Sequence, residues 1–191
     1  MLISVIIVTY NGIQYLDGCL SSLRQDVSAK REIIVVDNAS TDGSADFVQR
    51  RYRDVTLVRN EVNRGFAAAC NQGARIAAGS VLVFLNQDTR VKPGWLRALV
   101  DGFDLGPAIA LTTSKVLLML QPDRIQACGQ DVHYTGLVFV RGFRLPADSL
   151  NTPQEVAAVS GASFAVRKPV WEALGGFDET LYMYYEETDL S

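Results

Sequence analysis

A single histidine and three cysteines are too few for the metal and redox chemistries those residues usually signal. His133 stands alone in an irregular stretch, which reads as a surface or otherwise satisfied polar residue and leaves no Cys/His zinc set. Cys19, Cys70 and Cys128 are widely spaced and odd in number, so they read as reduced, buried thiols of a cytosolic protein and not as a disulfide framework. Basic charge is also not in excess. Lys and Arg number 18 against 21 Asp and Glu, a net charge of -3, and without a basic stripe or RNA-binding signature this speaks against nucleic acid as a partner. No stretch approaches the roughly 20 apolar residues of a membrane span. The segment Val116-Leu117-Leu118-Met119-Leu120 reads as a short buried run, which leaves room only for a peripheral membrane contact. The apolar opening, Met1 to Thr9, lacks a basic flank and a small-residue cleavage site, and so reads as a first strand and not a signal peptide.

What is present is a chain of 191 residues, 48% hydrophobic, sufficient for the core of a single domain. Strand and helix patterns alternate from the start. Ser4 to Thr9 reads as a strand, and Ile13, Leu16, Leu20 and Leu23 recur at the spacing of a helix face. Strand Glu32 to Val36, a helix from about Ser44 to Tyr52, strand Val55 to Arg59, a helix from about Phe66 to Ala78 and strand Val81 to Leu85 follow. Pro93 then opens a short helix near Trp95. This series predicts an α/β fold with a mostly parallel central sheet flanked by helices. Beyond a further strand over Ala108 to Lys115 the rhythm breaks, and the β-rich stretch Val132 to Phe143 reads as a hairpin leaving the sheet. Val156 to Ser160 and Ser163 to Val166 read as strands, and Lys168 to Leu174 as a short helix.

Two apolar runs, Ile33 to Val36 and Val81 to Leu85, end in carboxylate-bearing turns: Asp37-Asn38-Ala39-Ser40 and Asn86-Gln87-Asp88. In a parallel sheet both turns lie on the edge where such folds bind ligands. There Asp37 would accept hydrogen bonds from a nucleotide base or ribose, with Thr9-Tyr10-Asn11 beside it, a reading favoured over a plain turn or helix cap because Asp88 repeats its topology. Asp88 offers a hard oxygen ligand for Mg²⁺ or Mn²⁺, and Asn86 a neutral oxygen for the cation or a sugar. The helix start Asn63-Arg64-Gly65-Phe66 suits a phosphate, with Arg64 as a diphosphate contact or, alternatively, a solvated arginine. A third acidic station, Glu186-Glu187-Thr188-Asp189, follows the aromatic Tyr182-Met183-Tyr184-Tyr185, where a partly desolvated carboxylate could act as general base.

Together these segments resemble family 2 glycosyltransferases. The resemblance rests on Val5 to Asn11, Val36 to Ser44, Asn63 to Gly73, Leu85-Asn86-Gln87-Asp88, Ser160-Gly161-Ala162, and Gly176-Phe177-Asp178-Glu179 with Glu186 to Leu190. It runs over essentially the whole chain, and the branch it is most similar to is the bacterial rhamnosyltransferase-like one. The resemblance implies a GT-A fold that binds a nucleotide-sugar and inverts the anomeric centre in one displacement. It implies nucleotide contacts at Thr9, Tyr10 and Asp37, with Arg64 and Asn71 near the nucleotide or its phosphates. Asn86-Gln87-Asp88 takes the place of the metal-binding DxD motif, with Asn86 where the first acid stands, so a divalent cation is implied through Asp88. Gly161 and Ala162 match the loop lining the sugar and acceptor side. Glu187 falls where the family has the catalytic Asp of its Glu-Asp motif, with Asp189 in reserve. The implied donor is a dTDP- or UDP-sugar, with rhamnose favoured, and the implied acceptor a glycan or lipid-linked glycan of a cell-surface polysaccharide. The implied setting is the cytoplasm or the inner face of the membrane. Because family members continue past the Glu-Asp motif, the chain is expected to be truncated at its C-terminal end.

Other classes fare worse on the same residues. A dinucleotide-dependent oxidoreductase needs a Gly-x-Gly-x-x-Gly turn after the first strand, where this chain has Thr9-Tyr10-Asn11-Gly12. A sugar-phosphate nucleotidyltransferase would carry a Gly-rich basic loop at the same place. A non-catalytic nucleotide-sugar-binding module stays open.

Overall fold

The computed structural model describes residues 1–191. The alternation read from the sequence is realised as β1 (Ile3–Thr9), α1 (Ile13–Gln25), β2 (Arg31–Asp37), α2 (Ser44–Arg51), β3 (Thr56–Arg59), α3 (Phe66–Ile76), β4 (Val81–Leu85) and α4 (Trp95–Asp101). There follow β5 (Leu111–Thr113), β6 (Lys115–Leu118), β7 (Gln121–Cys128), β8 (Gln130–Val132), β9 (Val138–Val140), β10 (Ser163–Arg167), α5 (Lys168–Leu174) and α6 (Glu186–Leu190).

The main sheet has the order β3-β2-β1-β4-β10-β5. The first four strands are parallel, and β10 runs antiparallel to both neighbours. The chain winds outward from β1 through β2 to β3, then returns to place β4 on the other side of β1. That reversal creates a crevice between β1 and β4 at their carboxyl ends, the location at which open α/β sheets receive ligands.

The central strands read as unbroken apolar runs because both faces of the sheet are covered. Alternate residues divide between two cores. Ile3, Val5, Ile7, Val35, Val83 and Leu85 pack with Leu16, Leu20 and Leu23 of α1 and with Leu96 and Leu99 of α4. Ile6, Val8, Ile34, Val36, Leu82 and Phe84 pack on the other face with the alanines of α3, and with Trp171, Phe177 and Leu190. Phe84 stacks on Phe164 with ring centroids 4.9 Å apart, and Trp171 meets Phe177 edge-on at 4.9 Å. This second core ties the C-terminal segment to the sheet.

Several expectations need correction. The strand expected over Ala108 to Lys115 is two pieces, β5 and β6, parted at Ser114, whose N–H donates to the Ser163 carbonyl before the chain leaves the sheet. The run Val116 to Leu120 is not buried. It enters a two-stranded ribbon with β7 outside the main sheet, which leaves Met119 and Leu120 53% and 94% exposed. Val156 to Ser160 forms no strand: Ala158 makes one bridge to Gln130, while the N–H groups of Val159 and Ser160 donate to the hydroxyls of Ser191 and Thr113. Cys19 and Cys70 are buried as expected, whereas Cys128 is only half-buried. The excursion hairpin is present as β8–β9, with exposed His133 at its turn bonded to Thr135.

Candidate active site

The candidate site lies along the carboxyl edge of the sheet. Thr9 and Asp37 are register partners at the ends of β1 and β2, and the Asn38 N–H donates to the Thr9 carbonyl at 2.8 Å. Left-handed conformations at Asn11 and Ala39 then turn the two loops toward each other. The Asn11 N–H donates to Ser40 Oγ at 2.9 Å, and the Thr41 N–H donates to Asn11 Oδ1 at 2.8 Å. Asp42 caps two helix starts, accepting from the Ile13 N–H and from the Ser44 N–H and hydroxyl. Burial works against its ionisation, but these hydrogen bonds outweigh it and hold the carboxyl below the ordinary aspartate range.

Within this braced pair of loops Asp37 is 3% exposed. Its Oδ2 accepts from the Ser40 N–H at 3.1 Å, while Oδ1 is buried without any partner. Leaving a buried carboxylate oxygen unsatisfied is costly, so such an atom is suited to accept a donor from a ligand. Asn38 beside it is fully engaged. It accepts from the Asn60 amide and the Arg64 N–H, and donates to Asn63 Oδ1 and the Gly65 carbonyl, fixing the 60–65 loop. Tyr10 is exposed at the end of β1.

Across the crevice, Thr9 Oγ1 donates to Gln87 Oε1 at 2.5 Å. The contact requires glycine at position 12, because a Cβ there would lie 1.8 Å from Gln87 Oε1. The Asn86 carbonyl accepts from the Thr89 N–H and hydroxyl, which shapes the turn and leaves Asp88 exposed. Asp88 lines a cavity of about 420 Å³ with Gln14, Tyr15, Thr89, Arg90 and Met119.

The Asn86 N–H donates to the Ala162 carbonyl at 3.0 Å, so the loop before β10 sits directly beside the end of β4. A Cβ on Gly161 would lie 3.1 Å from Glu187 Oε1. Asn86, Ala162, Gly161 and Glu187 therefore form one continuous line. Glu187 Oε1 also accepts from Gln130 Nε2 at 3.1 Å, and Gln130 Oε1 accepts from the Thr188 hydroxyl at 2.9 Å. Gln130 was not foreseen from the sequence; it sits in the excursion, far along the chain from the acidic cluster, and no local pattern marks it. The adjacent Glu186 turns inward and is 4% exposed, with Oε2 unpartnered. Burial pushes its carboxyl above the ordinary glutamate range, and the Glu187 charge adds to this against hydrogen bonds from the backbone of Glu186 and Tyr184. Asp189 points to solvent.

Two expected phosphate-side features sit differently. The first N–H groups of α3, those of Phe66 and Ala67, both donate to the Tyr182 carbonyl, at 2.7 and 3.2 Å. That helix start is occupied by the protein itself and is not open to a phosphate. Arg64 precedes it with an exposed side chain that forms no ion pair. Asn71 is buried and holds the C-terminal segment. Its amide donates to the Phe177 carbonyl and to Glu179, and its oxygen accepts from the Phe177 N–H. Both donors are thereby used within the protein.

The donor set at Asn86 and Asp88 fits a cation held largely by its ligand. No group of three or more His, Cys, Asp or Glu residues converges on one point. Mg²⁺ and Mn²⁺ commonly take only one or two carboxylates and complete the shell with substrate phosphates and water. The exposed carboxylate of Asp88, two residues after Asn86, matches that mode.

Residues 4–126, more than half of the chain, match the family model described as glycosyl transferase family 2. The chain belongs to that family. Among relatives of this family 2 glycosyltransferase, an N-acetylglucosaminyl-diphospho-decaprenol L-rhamnosyltransferase of Mycobacterium tuberculosis is 28% identical over 97% of the chain and 68% of the relative. An O-antigen biosynthesis protein of Myxococcus xanthus is 30% identical over 83% of the chain, which covers 13% of that protein. Two solved structures share the fold. A mannosyltransferase from Pyrobaculum calidifontis in complex with GDP-Man and Mn²⁺ superposes with a TM-score of 0.71 at 22% identity, over 98% of this chain and 50% of its own. Residues 1-349 of TarS from S. aureus in complex with UDP give 0.72 at 20% identity, over 100% of this chain and 54% of that fragment. The fold is that of the GT-A glycosyltransferases, and the chain spans about half the length of these two solved relatives. No helix is long and apolar enough to cross a membrane.

Proposed function

We propose that this chain is the donor-binding and catalytic part of an inverting glycosyltransferase, moving a 6-deoxyhexose, rhamnose, from a dTDP-sugar to a lipid-linked glycan. The rhamnosyltransferase relative, aligned over 97% of this chain, supports the sugar and the acceptor class. The observation that carries the reading is the row of groups along one sheet edge. At one end lies the unpartnered Asp37 oxygen, in the middle the Thr9–Gln87 bond, and at the other end Glu187 against Gly161.

In this reading Asp37 accepts from the base or ribose, with Thr9 and Tyr10 beside the nucleoside. Arg64 approaches the diphosphate from the 60–65 loop. Asn86 and Asp88 face the sugar and would hold a divalent cation, which when bound neutralises charge on the departing diphosphate. Gly161 and Ala162 floor the sugar and acceptor side, where a side chain at position 161 would displace the Glu187 carboxylate. Glu187 takes the proton from the acceptor hydroxyl as that oxygen forms its bond to the anomeric carbon. The bond from that carbon to the diphosphate oxygen breaks in the same step, its electron pair leaves with the nucleoside diphosphate, and configuration inverts. Asp189 is the reserve base. With a lipid-linked acceptor, the proposed setting is the inner face of the membrane, approached from the cytoplasm.

The test is calorimetric titration with dTDP, UDP and GDP and their sugars, with and without Mn²⁺. The reading expects dTDP-rhamnose to bind most tightly and Asp88→Asn to remove the Mn²⁺-dependent part of the affinity. Clear preference for a uridine or guanosine donor would move the donor assignment. An absence of binding across the whole panel would overturn the reading.

A further inference from the structure

We infer that Gln130 is a positioning residue that sets the carboxylate of Glu187, and that the β8–β9 excursion is thereby built into the catalytic apparatus. The inference rests on the proposed role of Glu187 as base. Gln130 is fixed from both ends. Its backbone N–H donates to the Ala158 carbonyl at 2.8 Å, and its carbonyl accepts from the Ala158 N–H at 3.2 Å. The preceding residue, Gly129, has φ +79°, and a Cβ there would lie 2.6 Å from Val156. The chain therefore turns sharply against the 156–158 segment just before Gln130, and the side chain leaves an anchored backbone.

The side-chain amide then bridges two consecutive residues of α6. A carboxylate can only accept, so the Gln130 atom 3.1 Å from Glu187 Oε1 must be the N–H donor; the amide oxygen is left to accept from the Thr188 hydroxyl at 2.9 Å. The orientation of the amide is thus dictated by its partners. Gly161 packs against the Glu187 carboxylate, where a Cβ would come within 3.1 Å of Oε1, and Oε2 takes no hydrogen bond from the protein. One oxygen is held and the other is free to receive a proton. A general base needs that division, because its reach to the acceptor hydroxyl must be set before reaction. Lys, Arg and His are absent from these contacts, so a neutral amide orients Glu187 without an ion pair.

The experiment is a coupling measurement in the intact protein. Gln130→Met keeps length and loses both hydrogen bonds. Gln130→Glu keeps length and the acceptor for Thr188 but turns the contact with Glu187 repulsive. Misplacement of a catalytic group by about 1 Å can cost on the order of 10²-fold in rate, so both variants are expected to lower kcat by about 10- to 100-fold while donor KM stays within about twofold. The decisive arm is Gln130→Met combined with Glu187→Gln, where a residue acting only through Glu187 causes no further loss. Wild-type kcat in either folded single variant, or an equal additional loss in the Glu187→Gln background, would overturn the inference. Failure of the underlying reading is separately visible, since Glu187→Gln alone would then keep wild-type turnover. Should Gln130→Met fail to fold, Gln130→Leu, which also loses both hydrogen bonds and adds no charge, carries the same cycle.

Discussion

Asn71 and Phe177 are joined by a two-way hydrogen bond, amide to carbonyl and N–H to amide oxygen, both at 2.9 Å. The pair links the middle of α3 to the loop that leads into the acidic helix α6, across more than a hundred residues of sequence. Phe177 buries its ring against Phe84, Phe164 and Trp171 at the same point. Polar and apolar contacts thus fix one loop together.

Asn71→Ala is accordingly expected to destabilise the protein by about 2 to 3 kcal/mol, because it strands the N–H and carbonyl of Phe177 in a buried setting. Urea unfolding measures this. In the folded variant nucleotide affinity should stay within about twofold. A large loss of nucleotide binding without loss of stability would return Asn71 to the donor site.

Glu186 makes a pH prediction with a definite sign. Its carboxyl is raised above the ordinary value by burial, so the native state holds the proton more tightly than the unfolded state. Stability then falls as pH rises from the unfolded glutamate value through the raised native value. Glu186→Gln should flatten that decline and raise the melting temperature at pH 7.5. A variant that melts lower at pH 7.5, with an unchanged pH slope, would contradict it.

Gly12→Ala should separate site from fold. The new methyl would collide with the end of the Gln87 side chain, which can swing away at small cost to the fold but must then leave Thr9. Nucleotide affinity is expected to fall by about tenfold, roughly 1.4 kcal/mol, with little change in melting temperature. Gln87→Ala in the same background should give no further loss. A further tenfold drop would show that Gly12 acts elsewhere.

The central parallel strands β1, β2 and β4 were legible because burial on both sheet faces leaves unbroken apolar runs, and the carboxylate turns after β2 and β4 pointed to the candidate site edge. What the sequence hid were relationships closed by distant partners. Whether Val156 to Ser160 pairs as a strand depends on hydroxyls at Thr113 and Ser191, which take its N–H groups. The start of α3 looks open to phosphate until the Tyr182 carbonyl is seen upon it. Asn71 stands in a family-like segment, but its bond to Phe177 has no local signal, and Gln130 has no local pattern at all, since each contact is made to a partner more than fifty residues away. Glu186 and Glu187 are alike as letters and opposite in the fold, one facing the core and the other the sheet edge, because consecutive positions on a short helix point in different directions.

The most direct test of the proposed chemistry compares Glu187→Gln with Asp189→Asn in an acceptor-dependent transfer assay, with donor affinity measured in parallel by calorimetry. Glu187→Gln preserves size and hydrogen bonding but removes the basic carboxylate, and general-base assistance is typically worth about 10²- to 10⁴-fold. The expected result is a fall in turnover of that size with donor affinity within about twofold of wild type, and near-normal transfer by Asp189→Asn. That split marks a loss confined to the transition state. Transfer abolished by Asp189→Asn and retained by Glu187→Gln would contradict the assignment of the base.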